Sequence, residues 1–309
     1  MTAPGTIRTY DAADLSWIRE NATTLTDALT STGAVLVRGL AVRTAGQLAE
    51  VRDALGLTEA TGQERFAPTT DLGGGVTSAP EWGGDREMCL HHEQSFAVLT
   101  PRVLLMSCTT APADGGEQLL GDTHAVLREL PADLLARFRA HGWTLERNFR
   151  PYFGLPWGVA FGLTDPTGLP AYGEARRMDT EWRADGSLHT TQHRPAVVRH
   201  PVTGAECWFN DAAFFSQWSV DEAERKVLLS SFGPGGIPFT TTLGDGTELT
   251  ADEWQSILDA YDAVTVRLRW QVGDVLLVDN VRTAHGRAPF TGPREILVAA
   301  ADPAPVEGV

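Results

Sequence analysis

Apolar and polar residues alternate along this chain with two different periods. Near the N-terminus the spacing is helical: "AADLSWIRENATTLTDAL" and "RTAGQLAEVRDALG" predict helices over 11–30 and 43–56. Between them "GAVLVRGL" (33–40), a β-branched run closed by glycines, predicts a buried strand. Residues 61–88 are rich in Gly, Pro and Thr, which predicts a loop folded over a site. "MCLHHEQSFAVL" (88–99) alternates as a strand does, and "RVLLMSCTT" (102–110) reads as a strand buried on both faces. "PADGGEQLLGD" (112–122) is a turn and a short strand, and "DTHAVLRELPADLLARFRAHG" (122–142) is a helical pair divided at Pro131. Strand-and-turn texture resumes until Ser219…Glu222 and Thr250…Glu253, whose spacing predicts two capped helix starts. From 265 to 300 the chain is nearly all strand, divided by "QVGD" and "FTGP" turns.

No repeat, low-complexity linker or shift of composition divides the chain, so a single domain over 1–309 is expected. Many short strands, with helices at the N-terminus and in insertions, predict an α+β protein around an antiparallel barrel or sandwich. At 309 residues and 42% hydrophobic content the chain can bury an ample core. Cys89, Cys108 and Cys207 form no CxxC pair, which predicts free thiols in a reducing compartment. The N-terminal segment lacks the basic and apolar regions of a signal peptide, and no apolar run is long enough to span a bilayer; a cytoplasmic location is expected. A formal net charge of −15 argues against nucleic acid or an anionic membrane as partner. Lys226 is the sole lysine, so arginines must recognise any carboxylate.

The chemistry centres on "LHHEQSF" (90–96). On a strand, His91 and Glu93 would point to one face and His92 to the other. A lone His-x-Glu is a weak signal, but His285 follows a buried strand in "LLVDNVRTAHGRAPF" and supplies a third ligand. Two histidines and one carboxylate form the facial triad of non-haem Fe(II) oxygenases, which leaves open metal positions. Arg294 lies nine residues beyond His285, and a hairpin across "FTGP" would return it to the metal, placed to bind a dicarboxylate in two-pronged fashion. Zinc also accepts such ligands, although the HExxH helix of many zinc hydrolases is absent.

With these residues in place the sequence resembles the TauD/TfdA superfamily of Fe(II)- and 2-oxoglutarate-dependent oxygenases, with particular similarity to SyrP-like members of bacterial natural-product clusters. The carrying segments are "GAVLVRGL", "LHHEQSF", "PADGGEQLLGD", "HPVTGAECWFN" (200–210), "GDG" (244–246) and "GDVLLVDNVRTAHGRAPFTGPREILVA" (273–299), in the family's order. The resemblance implies a double-stranded β-helix (jelly-roll, cupin-like) core with flanking helices and a long lid or insert, at roughly 143–264. It implies that His91, Glu93 and His285 bind iron, that Arg294 pairs with the distal carboxylate of 2-oxoglutarate, and that O2 is the oxidant. Three positions depart from the family pattern. His92 replaces the usual Asn, Gln94 replaces the usual Met or hydrophobe, and "GGEQ" replaces "GGET", so Gln118 stands where a threonine helps hold 2-oxoglutarate. Glu93 separates the chain from the halogenases of the family, which lack that carboxylate.

The 192 residues from Glu93 to His285 exceed what a minimal barrel needs, so substrate-binding parts are expected there. The candidates are Arg147, Arg150, Tyr152, Arg176, Arg177, Trp208, Phe209 and Asn210. The resemblance implies hydroxylation of an unactivated C–H bond in an amino acid or amino-acid-derived substrate, free or tethered to a peptidyl carrier protein. Acidic carriers would be repelled by this chain unless "ARR" (175–177) formed a local docking patch. Desaturation, epoxidation or cyclisation by the same residues, a zinc-dependent hydrolase, and a non-catalytic binding protein on the same fold are the alternative readings.

Overall fold

Successive residues of the Ala34–Arg38 strand enter two different cores. Val35 and Val37 join Leu25, Leu48 and Val51 on one side, while Ala34 and Leu36 join Leu104, Met106 and Leu120 on the other. The Leu99–Thr110 and Val275–Asp279 strands divide in the same way, because side chains alternate across a sheet. These runs are hydrophobic on both faces because both faces are covered. The structure, a computed structural model, describes residues 7–151, 154–233 and 236–305.

The larger sheet has six strands in the order Arg8–Asp11, Ala34–Arg38, Val275–Asp279, Leu99–Thr110, Glu295–Pro305 and Val76–Ser78. Only the first pair is parallel. Its outer face carries the helices Leu15–Glu20, Ala22–Thr32 and Ala45–Ala54. Its inner face meets an antiparallel sheet of Thr265–Leu268, Gln118–Asp122, Thr283–Arg287 and Met88–His91 through Leu120 and Leu268. Two sheets face to face, antiparallel but for that one pair, form the jelly-roll expected of this chain. The far side of the smaller sheet is covered by Thr123–Glu129, Ala132–His141 and Ala251–Val264, around Leu90, Leu119, Phe138, Ile257 and Tyr261.

Between Ala132–His141 and Ala251–Val264 the chain builds a third sheet in the order Phe239–Leu243, Trp143–Phe149, Leu188–Arg194 and Asp179–Trp182. A Val197–Arg199/Glu206–Trp208 hairpin and the helices Trp157–Phe161, Leu169–Arg176 and Glu222–Phe232 complete this region. Among the described residues no helix is long and apolar enough to cross a membrane.

Several elements differ from the sequence pattern. The first predicted helix is two, divided at Asn21, whose side chain donates to the Trp17 carbonyl at 2.9 Å and so competes with the backbone. Thr250 and Glu253 form the predicted capping box, whereas the next helix upstream is capped by Asp221 and not by Ser219, which lies in a short 3-10 turn. The predicted strand 88–99 ends at His91, and residues 93–96 form a turn before Leu99–Thr110 begins.

Candidate metal centre and active site

His91 and His285 are direct partners across two neighbouring strands, with ring centroids 4.4 Å apart. A bulge follows on the Met88–His91 strand, where the register shifts between His285 and Arg287. Such a bulge re-aims side chains beside a site. Gly286 permits the close approach, since a Cβ there would lie 2.4 Å from the Met88 carbonyl oxygen. Glu93 reaches the pair from the turn, not from the strand: alternation along one strand is not what brings His91 and Glu93 together. One ligand atom from each of His91, Glu93 and His285 lies within 4.8 Å of the others.

The backbone of that turn is held from two directions. The Asn280 amide accepts from Glu93 N–H at 2.9 Å and donates to the Glu93 carbonyl at 2.8 Å. The Asp211 carboxylate accepts from His92 N–H at 2.7 Å and from the Ser95 hydroxyl at 2.6 Å. The His92 ring faces away from the cluster, with Nδ1 2.6 Å from the Asn280 carbonyl and Nε2 3.0 Å from that of Trp208. Phe214 stacks on His91 at 4.4 Å, Trp82 stacks on Phe214 at 5.3 Å, and Phe66 sets its edge against both His91 and Phe214.

These groups suit a divalent cation. The His91 Nδ1 sits 3.0 Å from the Cys89 carbonyl, an acceptor only, so Nδ1 carries the proton and Nε2 keeps a lone pair. Burial pushes the His91 imidazole down to about 4 and His285 well below the usual range, so both rings are neutral at pH 7. The same burial raises Glu93, a carboxylate with little water to solvate it. His285 Nδ1 is buried without a hydrogen-bond partner among the described residues. Orphaned buried nitrogens are rare, and a cation held by the cluster gives that ring a partner.

A cavity of about 750 Å³ opens on the three side chains. Arg294 lines it, but not through a hairpin with the His285 strand: Thr283–Arg287 and Glu295–Pro305 belong to opposite sheets. The chain crosses between sheets at a small pairing of Phe290–Thr291 with Asp114–Gly115. The Arg294 Nε donates to the Gly116 carbonyl at 3.3 Å and the guanidinium lies over Phe290, 5.7 Å from its centroid. Burial, then the nearby Arg287, lower it to about 10, which leaves it cationic at pH 7. Arg287 also lines the cavity, but its donors go to the carbonyls of Gly83, Gly84, Arg86 and Ala288. Gln118 lines the cavity and its Nε2 donates to the Gly286 carbonyl at 2.8 Å, bracing the strand that carries His285.

Of the substrate candidates read from sequence, only Arg176 lines this cavity; it lies over Tyr172 at 4.5 Å and donates to the Gly62 carbonyl at 2.7 Å. Arg177 is exposed and ends the Leu169–Arg176 helix in a left-handed conformation. Arg150 pairs with Asp185 at 2.9 Å. Arg147 is buried in an ion pair with Glu64 at 3.1 Å. Trp208 is fully buried, edge-on to Phe138, with its Nε1 donating to the Tyr261 hydroxyl. Asn210 is also fully buried and bonds to Ala196 and Ala212. Phe209 packs against His92. Tyr152 lies outside the described residues. Trp208, Phe209 and Asn210 therefore brace the turn and core behind the cluster and do not reach the cavity. Sequence reasoning missed Asn280, Asp211, Phe214, Phe66 and Arg65; the "DN" just before the His285 segment was the one legible signal among them.

A jelly-roll that joins a His-Glu-His cluster to a half-buried arginine with no ion pair among the described residues is the architecture of an Fe(II)- and 2-oxoglutarate-dependent dioxygenase. The family described as "Taurine catabolism dioxygenase TauD, TfdA family" matches residues 3–300, and the chain belongs to it. The dapdiamide synthesis protein DdaC of Enterobacter agglomerans is 32% identical over 275 residues, covering 89% of this chain and 84% of that protein. A clavaminate synthase-like protein of Arabidopsis thaliana is 28% identical over 282 residues, 88% of this chain and 82% of that one. Among solved structures, a taurine dioxygenase from Burkholderia xenovorans shares the fold with TM-score 0.53 and 17% identity, over 99% of this chain and 90% of that one. PvcB, an Fe, α-ketoglutarate dependent oxygenase from an isonitrile synthetic pathway, has TM-score 0.52 at 16% identity, over 96% and 87% of the two chains. Family membership sets aside the zinc-hydrolase and non-catalytic readings of the sequence.

Proposed function

We propose that His91, Glu93 and His285 hold the Fe(II), that Arg294 takes the distal carboxylate of 2-oxoglutarate, and that the enzyme hydroxylates an amino acid or amino-acid-derived small molecule. The observation that carries this reading is the shared cavity: three side chains able to hold a metal ion, and an arginine that has no carboxylate partner among the described residues, line one space. The iron, when bound, supplies the oxidising power that couples decarboxylation of 2-oxoglutarate to C–H oxidation. The protein's own part is placement. Two neutral imidazoles and one carboxylate, those of His91, His285 and Glu93, would hold the metal. Phe66 and Phe214 pack against the His91 ring and cover one side of it. Gln118 sits beside the 2-oxoglutarate position and steadies Gly286.

Substrate chemistry follows from the charges that remain. Arg287 is spent on carbonyls, and Glu64 on Arg147. Arg65 and Arg176 also line the cavity, and among the described residues neither makes an ion pair. Two such arginines suit a substrate carboxylate. The likeness to a dapdiamide synthesis protein supports a substrate from natural-product assembly. A diffusible substrate is favoured over a carrier-bound one, because the net charge of −15 opposes an acidic carrier and, of the two arginines in the "ARR" run, only Arg177 is exposed. The test is a panel of free and carrier-loaded amino acids with Fe(II), 2-oxoglutarate and O2, read as succinate and product mass. A gain of one oxygen supports hydroxylation. A loss of two hydrogens makes the enzyme a desaturase or cyclase, and no substrate-dependent succinate from any amino-acid-like compound overturns the substrate assignment.

A further inference from the structure

Gln94 follows Glu93 and holds the left-handed backbone conformation at φ 60°, uncommon for a residue with a Cβ. Its side chain is 2% exposed; both ends of its amide meet one residue, and the amide also lies within reach of the Glu93 carboxylate. Gln94 Oε1 accepts from the Glu64 backbone N–H at 3.0 Å, and Nε2 donates to the Glu64 carbonyl at 2.6 Å. A primary amide thus does for Glu64 what a neighbouring strand would do, satisfying both of its backbone groups.

Glu64 lies in the 61–67 segment, which lines the cavity with Gln63, Arg65 and Phe66. The segment is anchored on the side away from the metal as well. Arg147 donates to the Arg65 carbonyl at 2.6 Å, Arg176 to the Gly62 carbonyl at 2.7 Å, and Arg65 N–H to the Ala160 carbonyl at 2.8 Å. The Glu64 carboxylate meets Arg147 at 3.1 Å and Gln192 at 3.2 Å. Every one of these polar partners belongs to the region between Trp143 and Arg194. Gln192 also touches the far end of the Glu93 turn, donating to the Phe96 carbonyl at 3.3 Å, but Gln94 is the link that adjoins Glu93 itself. Its backbone conformation is costly, and such conformations persist where surrounding contacts over-determine them and cluster at sites of function.

We infer that Gln94 is a positioning residue that couples the substrate-facing 61–67 segment to Glu93, so that substrate in the cavity is registered at the metal carboxylate. The inference rests on the metal and substrate assignments above. A substrate carboxylate drawn to Arg65 pulls on the backbone next to Glu64, and two short hydrogen bonds carry that displacement to the residue adjoining Glu93. A purely apolar side chain at position 94 has no groups with which to do so.

Gln94→Met keeps a Cβ at the same φ and a chain of similar length, and removes both bonds. Two independent readouts test the coupling. In metal-free protein, hydrogen exchange across residues 61–67 speeds up about tenfold or more in the variant, the scale of one to two buried hydrogen bonds, while the Leu99–Thr110 core strand keeps its protection. In loaded enzyme, 2-oxoglutarate affinity stays within about twofold, whereas substrate KM rises about tenfold and product formed per succinate falls. Gln94→Gly, which relieves the left-handed strain but also lacks the amide, shows the same KM and coupling loss if the amide is responsible. Unchanged exchange in Gln94→Met overturns the inference at its structural root. Faster exchange with wild-type KM and wild-type product per succinate reduces Gln94 to a brace and overturns the coupling. Failure of the functional reading looks different: the wild type itself then makes no substrate-dependent succinate, while the exchange result still reports the link between Gln94 and Glu64.

Discussion

Asn280 holds both backbone groups of Glu93, accepting from its N–H at 2.9 Å and donating to its carbonyl at 2.8 Å. The same Nδ2 also reaches the Pro101 carbonyl at 2.8 Å, so one fully buried amide ties the metal turn to the start of a central strand. Asn280→Ala leaves these groups unpaired. Stability falls by about 2–4 kcal/mol and affinity for Fe(II), or for Co(II) as a probe, falls about 10–100-fold. Denaturant unfolding and metal titration read the two effects separately; an unchanged metal affinity would show that Glu93 needs no such support.

Arg65 and Arg176 share the cavity, while Arg150 and Arg177 do not. Arg65→Ala and Arg176→Ala each raise KM for a carboxylate substrate about tenfold, on the scale of a lost charge-assisted bond. Arg150→Ala and Arg177→Ala leave it within about twofold. Steady-state kinetics on the four variants decides the matter, and equal effects in all four would remove the cavity assignment.

The Asp211 carboxyl is pushed up to about 7 by burial, against the opposing hydrogen bonds from His92 N–H and Ser95. Its unfolded value is near 3.8, so the folded protein retains a proton that the unfolded chain releases as pH rises between these values. The stabilisation from this group is full below about 4 and is lost as pH climbs through about 7. Metal-free wild type therefore loses stability relative to Asp211→Asn between pH 4.5 and 7.5. Urea unfolding of both proteins at the two pH values checks the sign, and a gap that widens in favour of wild type as pH rises contradicts it.

Phe214 is sandwiched between His91 and Trp82. Phe214→Ala costs about 3–5 kcal/mol as a core truncation, read by denaturant unfolding. Affinity for Fe(II), or for Co(II) as a probe, also falls, because the His91 ring loses the face-on contact that fixes its orientation; an unchanged metal titration contradicts this.

Much of this site was legible because its chemistry is concentrated in two segments. His91 and Glu93 stand two apart, and His285 lies in a segment of high specificity. The reason offered by strand periodicity was wrong in part, since Glu93 sits on a turn whose shape depends on Asn280 and Gln94 rather than on alternation. The two central cores follow directly from the alternation of Ala34–Arg38 and Val275–Asp279. The substrate wall was not legible. Trp208 and Asn210 look like a recognition surface in sequence, but hydrogen bonds to Tyr261 and Ala196 turn them inward. Arg65 carries no motif at all, and only the folding of 61–67 against Arg147 and Gln94 brings it to the cavity.

The measurement that tests the central assignment most directly is an anaerobic visible spectrum of Fe(II)-loaded protein before and after 2-oxoglutarate. The account predicts a weak metal-to-ligand charge-transfer band in the wild type, absent in His285→Ala and appearing in Arg294→Ala only at about 10–100-fold higher 2-oxoglutarate. A band that survives unchanged in both variants would place iron and 2-oxoglutarate elsewhere, and no band in folded, iron-loaded wild type would contradict the assignment outright.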